Sequence, residues 1–330
     1  MNLLVTGAAG FIGSTYVRML LARHAREDPA APRITVLDKL TYAGTLDNLE
    51  LGHPRLEFVH GDIRDAALVD KLAAAADQIV HFAAESHVDR SLTGGADFVL
   101  TNVLGTQTLL EAARRHGVGP FVHVSTDEVY GSVATGSSTE EDVLRPSSPY
   151  SASKASSDLL ALAHHRTHGL DVRVTRCSNN YGPHQFPEKV VPLFVTRLLD
   201  GHRVPLYGEG LNVRDWLHVD DHCRGVELVR TEGRSGEVYN LGGGTELRNR
   251  DLTALLLEAC GAGWDRVAHV EDRKGHDLRY SVDWTKARTE LGYRPRQDFA
   301  AGLAATVAWY REHRAWWEPL VRRVEEGERG

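Results

Sequence analysis

Cysteine is scarce in this chain: Cys177, Cys223 and Cys260 are the three among 330 residues. An odd number at wide spacing builds neither a disulfide framework nor a zinc site. Buried free thiols in a reducing, cytoplasmic setting are the expectation. Long apolar runs are lacking too; none approaches the roughly 18 residues of a membrane span. The start, Met1 to Gly7, has no basic segment and no long apolar stretch of the secretory kind. Positive charge is not in excess, because the net charge is −7. That argues against nucleic acid as the main partner and leaves room for a local basic pocket. The neighbours His164 and His165 read as helix surface; their spacing is not that of a metal site, and no metal is expected.

What is present is alternation. Residues 3–5, 34–37, 56–59, 79–82, 121–124 and 172–175 are short apolar runs that read as buried strands. Helical patterns lie between them, as over 11–23, 98–115 and 152–168. Such alternation predicts an α/β fold, a Rossmann-type doubly wound parallel sheet. After about residue 180 the segments become irregular. They predict a smaller, mixed C-terminal domain over 181–330 that mainly binds substrate, interwoven with the first 180 residues and with some return to the sheet. Residues 28–32 read as a loop inserted before the second strand, and residues 325–330 as a frayed tail.

The first strand runs into Gly7-Ala8-Ala9-Gly10-Phe11-Ile12-Gly13. Glycines here allow a tight turn and a close approach to a pyrophosphate, and the following helix offers free N–H groups at its N-terminus. The spacing is one residue wider than the commonest dinucleotide fingerprint. Asp38 ends the second strand, 25 residues after Gly13. A carboxylate there accepts from ribose hydroxyls and repels a 2′-phosphate, which favours NAD over NADP. The bland reading is a turn-capping Asp. Asp62-Ile63 ends the third strand, where Asp62 either binds the adenine amino group or caps the next helix.

Tyr150 and Lys154 are four apart at the start of a helix and share one face. Tyrosine is a poor base at neutral pH. An ammonium and the positive nicotinamide ring would each favour its phenolate. Alone, the pair is a common helix-surface feature. Behind a dinucleotide fingerprint and strand-end Ser125, it reads as catalytic.

The two motifs together resemble the extended short-chain dehydrogenase/reductase superfamily. Residues 39–44, 83–91, 125–131, 176–183 and 212–216 resemble the dTDP-glucose 4,6-dehydratase family closely. The resemblance runs from residue 3 to about residue 310. It implies bound NAD, a dTDP-glucose substrate and a homodimer built from the 98–115 and 152–168 helices. It assigns Thr126 to the C4 oxygen, Asp127 as acid and Glu128 as base. A dehydratase must move protons at C5 and C6 as well as at C4, so it needs two groups besides the tyrosine. The bland reading of Asp127 and Glu128 is a solvated acidic loop. In a regular strand, neighbours face opposite ways, so the strand must end here for both to reach one sugar. Adjacent carboxylates are also expected to raise each other's pKa.

By the same resemblance, Lys39, Leu40, Thr41, Phe82, Ala83, Ala84, Ser86, Thr101 and Asn180 join the cofactor set. Ser86, Asn179, Lys189, Val190, Pro205, Tyr207, Arg214, Asn249, Arg273 and His276 join the substrate set, with the arginines, His276 and the neutral donors Asn179 and Asn249 on the pyrophosphate and Lys189, Val190, Pro205 and Tyr207 at the base. The sequence departs from the family pattern at Lys274 and Leu278, and Arg279 either compensates or does not. Two rivals stand beside the dehydratase: a sugar-nucleotide 4-epimerase, which has no use for Asp127 and Glu128, and a non-catalytic NAD-binding sensor.

Overall fold

The structure, a computed structural model, describes residues 1–23 and 31–328, with only the backbone for 325–328. In chain order the elements are β1 (Asn2–Thr6), α1 (Phe11–Arg23), β2 (Arg33–Asp38), β3 (Leu56–His60), α2 (Ala66–Ala73), β4 (Gln78–His81), α3 (Val88–Thr93) and α4 (Gly95–Phe98). A π-helical segment (Val99–Gly105) leads into α5 (Thr106–His116), then β5 (Phe121–Thr126), a 3-10 turn (Asp127–Tyr130), α6 (Pro149–His168) and β6 (Val172–Cys177). There follow β7 (Asn179–Tyr181), α7 (Val190–Leu199), β8 (Val204–Tyr207), β9 (Val213–His218), α8 (Val219–Glu232), β10 (Val238–Leu241), β11 (Glu246–Arg248) and α9 (Asn249–Cys260). Last come β12 (Val267–Val270), α10 (Thr285–Leu291), α11 (Phe299–Glu312) and α12 (Arg314–Glu328).

Seven parallel strands form the main sheet in the order β3-β2-β1-β4-β5-β6-β10. Side chains alternate across it. Leu3 and Val5 of β1 pack with Tyr16, Val17 and Leu20 of α1 and with Val226 and Val229 of α8. Leu4, between them, packs on the other face with Leu109 and Ala113 of α5. Both faces are therefore covered, as an all-parallel sheet requires. The chain order reverses between β1 and β4, and ligands of such sheets bind at that crevice, outside the carboxyl ends of the strands.

The second half builds its own apolar cluster from α7, α9, α11, α12, β7, β8, β9 and β12, with Tyr181, Trp216, Leu252 and Trp317 among its members. A three-stranded sheet (β11-β9-β7) and a parallel pair (β12-β8) accompany it. Strand β10 returns to the edge of the main sheet.

Several expectations need correction. The helix expected over 98–115 is one run broken by the π segment. His164 is buried, not surface; its Nε2 faces the Gln107 side chain at 3.3 Å. Cys177 and Cys223 are buried, but Cys260 is only half-buried. The tail continues as helix through Glu328. The loop expected at 28–32 falls largely outside the described residues. Among the described residues, no helix is long and apolar enough to cross a membrane.

Candidate active site

Gly7 adopts φ 73°, and a Cβ on it would sit 2.4 Å from the Ala83 nitrogen. A Cβ on Gly13 would sit 2.7 Å from the Gly7 oxygen, whereas one on Gly10 would meet only that same oxygen, at 3.3 Å. Gly7 and Gly13 thus allow strand, turn and helix to close up, and Gly10 faces space that a phosphate would fill. Asp38 accepts from the Ala9 N–H at 2.9 Å and from the Leu40 N–H at 2.8 Å, so it fixes the turn whether or not it also binds ribose. Burial raises its pKa, and those two backbone bonds oppose the rise. Leu40 has a left-handed backbone, φ 53°.

Asp62 does not cap α2; Asp65 does, accepting from Ala67 and Leu68. Asp62 instead pairs with Lys39 at 2.9 Å and with Arg64 at 2.7 Å. Burial works to raise its pKa, but Arg64 and Lys39 outweigh it and hold the carboxylate charged. Ile63 is buried beneath it. Phe82, Ala83, Ala84 and Ser86 follow β4, with Phe82 tilted on Tyr16 at 5.3 Å. Thr101 lies on the π segment. Asn180 Oδ1 lies 3.0 Å from His222 Nδ1, and its Nδ2 donates to the Ser178 carbonyl.

Strand β5 stops at Thr126, which caps the 3-10 turn by accepting from the Glu128 N–H at 3.2 Å. This break carries Asp127 and Glu128 out of strand alternation. Thr126 Oγ1 also donates to Asp127 Oδ1 at 3.1 Å, while Asp127 Oδ2 is buried without a partner. Ser125 Oγ and Asn179 Oδ1 are likewise buried and unpartnered. Unmet polar atoms at the strand ends fit a polar ligand bound there.

Helix α6 begins with a reciprocal cap: Ser148 and Ser151 bond each other's backbone N–H, with Pro149 in the first turn. Tyr150 is therefore placed at the mouth of the helix, its ring edge against Phe98 at 6.3 Å. Lys154 Nζ donates to the Val124 carbonyl at 2.9 Å. One turn on, buried Asp158 pairs with Arg176 at 2.9 Å and lies 3.3 Å from His123. Asp158 was not anticipated; its spacing of four from Lys154 was the available signal.

Two electrostatic expectations change. Asp127 is pushed well up chiefly by burial, and Glu128 is only the second cause. Glu128 is raised by burial against the pull of Arg214, Lys189 and Arg273. Tyr150 is not lowered by the protein: burial raises it, and Glu128 adds to the rise. Lys154 is lowered to about 8 by burial, with Asp158 opposing.

On the facing side, Lys189 Nζ donates to the Ser86 carbonyl at 2.7 Å, tying the segment before α7 to the loop after β4. Val190 opens α7. Arg214 lies over the Tyr280 ring at 4.2 Å and donates to the Asp277 carbonyl. Arg273 pairs with Asp89 at 2.5 Å and lies over Tyr207, whose hydroxyl also donates to Asp89. His276 stands edge-on to Tyr207 at 6.1 Å and pairs with Asp272. Pro205 pairs with Ala268 in the β8–β12 ladder, and the Asn249 N–H donates to the Asn212 carbonyl. Arg279, next to Leu278, binds Glu246 and the Val133 and Gly136 carbonyls, and Leu278 is exposed. A cavity of about 1010 Å³ lies elsewhere, between α1, α8 and Trp309, and holds none of the candidate catalytic residues.

A family model described as GDP-mannose 4,6 dehydratase matches residues 4–306. A dTDP-glucose 4,6-dehydratase of Streptomyces antibioticus is 73% identical over 323 residues, which are 98% of this chain and 96% of that protein. The crystal structure of DesIV, a dTDP-glucose 4,6-dehydratase of Streptomyces venezuelae with NAD and TYD bound, superposes with a TM-score of 0.94 at 63% identity, over 97% of this chain and all of that one. A UDP-glucose 4-epimerase of Thermotoga maritima reaches 0.87 at 32% identity, over 94% of this chain and 99% of that one. This chain belongs to the GDP-mannose 4,6 dehydratase family and groups there with the dTDP-glucose 4,6-dehydratases.

Proposed function

We propose that this protein is an NAD-dependent hydro-lyase that converts dTDP-glucose to dTDP-4-keto-6-deoxyglucose and water. One observation carries the choice over an epimerase: the strand break at Thr126, which carries Asp127 and Glu128 to the sheet's carboxyl edge near Tyr150. An epimerase needs only the tyrosine.

Residues 1–180 hold the cofactor in this reading, and residues 181–330 mainly hold the sugar nucleotide. Gly7, Gly10 and Gly13 cradle the dinucleotide, with Asp38 on the ribose. Bound NAD would supply the hydride acceptor and later the donor, and in its oxidised form a positive ring beside the phenol. Tyr150 takes the C4 hydroxyl proton, and Thr126 holds the C4 oxygen. Lys154 keeps a positive charge near that proton transfer. Glu128 removes the C5 proton, made acidic by the new ketone, and a proton returns to C5 when hydride is given back at C6. Asp127, kept protonated by burial, gives its proton to the departing C6 oxygen. Arg214, Arg273 and His276 face the diphosphate, and Lys189, Val190, Pro205 and Tyr207 hold the base; Arg273 would exchange Asp89 for phosphate as it binds.

The protein also acts as a homodimer. Val99, Leu100 and Leu104 on the π segment and Leu159 on α6 are exposed apolar side chains on two elements that pack together. A second copy would cover them. Incubation with dTDP-glucose tests the activity: a keto product with alkaline absorbance is expected, and an epimer that keeps its C6 hydroxyl would overturn the reading.

A further inference from the structure

The glycine turn is held from an unexpected direction. Ala9 lies inside it, and its N–H is taken by Asp38. Its carbonyl accepts from Asn48 Nδ2 at 2.9 Å and from the Thr45 N–H at 3.1 Å. The Ala9–Gly10 peptide is planar, so fixing that carbonyl also fixes the Gly10 N–H, which closes the turn by donating to the Gly7 carbonyl at 3.3 Å. Asn48 is 3% exposed. Its Oδ1 accepts from Trp316 Nε1 at 3.1 Å and lies 3.1 Å from His184 Nδ1, and its own carbonyl accepts from Arg18 at 2.6 Å. His184 holds a left-handed backbone, φ 66°, and its ring packs against Trp316 at 5.4 Å. An amide whose acceptor and donor ends are both used has one orientation only.

We infer that Asn48 is a positioning residue for the dinucleotide, and that Trp316 of the C-terminal helix acts through it. The chain of bonds runs from Trp316, 268 residues away in sequence, to Asn48, to the Ala9 carbonyl and so to the phosphate-facing turn. Docking of α12 and retention of NAD are thereby one linked equilibrium. Whatever loosens the helix loosens the cofactor, and bound cofactor holds the helix in place. Neither residue faces Tyr150 or the carboxylates, so the coupling concerns holding the cofactor and not proton transfer.

The inference rests on the NAD reading of the turn, and the experiment separates the two. The purified full-length protein is gel-filtered, denatured and assayed for released nucleotide, and its NAD dissociation rate is followed after dilution. If the unaltered protein carries and binds no NAD, the cofactor reading fails. Given bound NAD, Trp316→Phe keeps the ring and loses only the N–H. It is expected to release NAD several-fold faster, and Asn48→Ala at least tenfold faster. Asn48→Asp keeps the acceptor for Trp316 but loses the donor to Ala9, so it should resemble Asn48→Ala. The double variant of Asn48→Ala with Trp316→Phe should release no faster than Asn48→Ala alone, because the two act in series. A purely structural role predicts a lowered unfolding midpoint with unchanged NAD release from the folded protein. Unchanged release in Trp316→Phe would overturn the coupling even if the Asn48 variants fail to fold.

Discussion

Burial, Glu128 and Asp127 all favour a neutral phenol at Tyr150, so the protein alone does not prepare its base. The sequence showed which residues meet here, because Tyr-x-x-x-Lys and Thr-Asp-Glu are local motifs. The upward shift of Asp127 was expected, though from Glu128 more than from burial; the upward shift of Tyr150 was not, because burial sets it. Tyr150→Phe is expected to prevent oxidation at C4, so reduced-nicotinamide absorbance should never appear with substrate. Asp127→Asn combined with Glu128→Gln should still oxidise C4 but stall before water leaves, with that absorbance persisting. Each general acid or base contributes about 10²–10⁴-fold. Normal turnover in the double variant, read by rapid-mixing absorbance, would make these carboxylates a solvated loop. Lys154 adds a stability signature. Its folded pKa, about 8, lies below the ordinary lysine value of about 10.4. Between those values the unfolded chain binds more protons, so this group makes stability rise with pH through that window. Lys154→Met should therefore stabilise the fold at pH 7, by roughly 2 kcal/mol after loss of the bond to Val124, with the gain fading towards pH 10. Urea titrations at the two pH values check it, and an equal effect at both would refute it.

At the scale of elements, strand and helix positions in the first half were legible, since buried parallel strands and amphipathic helices carry strong periodicity. The π segment was not. Over 98–115 the apolar pattern continues unbroken, while the structure widens one turn of it. Gly105, at its end, packs against Ile63: a Cβ there would lie 2.4 Å from Ile63 Cδ1. The segment carries Asn102, 1% exposed, which accepts from the Glu85 N–H at 2.8 Å and donates to the Glu85 carbonyl and to Ser153 Oγ. One side chain thus joins the loop after β4 to the helix that bears Tyr150. Its partners lie 17 and 51 residues away, and such bonds leave no periodic trace in a sequence. Asn102→Ala leaves the half-buried Glu85 backbone groups without their partner, at a cost of about 1–2 kcal/mol. We expect a lowered urea midpoint together with reduced turnover, because the Ser153 hydroxyl that Asn102 reaches also bonds the Tyr150 carbonyl at 2.7 Å. Normal turnover at full folding would show that Asn102 only stabilises.

At the scale of the whole molecule, the two halves are joined less by a linker than by exchange of elements. Strand β10 completes the main sheet from the second half, and α8 packs against α1. The sequence pointed to an interwoven second half with some return to the sheet but not to the strand that returns, because a four-residue strand such as Val238–Leu241 gives no signal of its partner. One face stays unsatisfied within a single chain: Val99 is 55% exposed, Leu104 49% and Leu159 60%. Charged residues at Leu104 and Leu159 would face water harmlessly in a monomer but would be buried in a paired copy. A charge buried without a partner costs several kcal/mol, and two-fold symmetry places each substitution in the interface twice. Leu104→Glu with Leu159→Glu should thus shift the protein from dimer to monomer at micromolar concentration, as light scattering would read it. The same elements carry Thr101, Tyr150 and Lys154, so turnover should fall as the dimer dissociates. Parental protein that scatters as a monomer would refute the pairing; a double variant that stays dimeric would place the interface on another face.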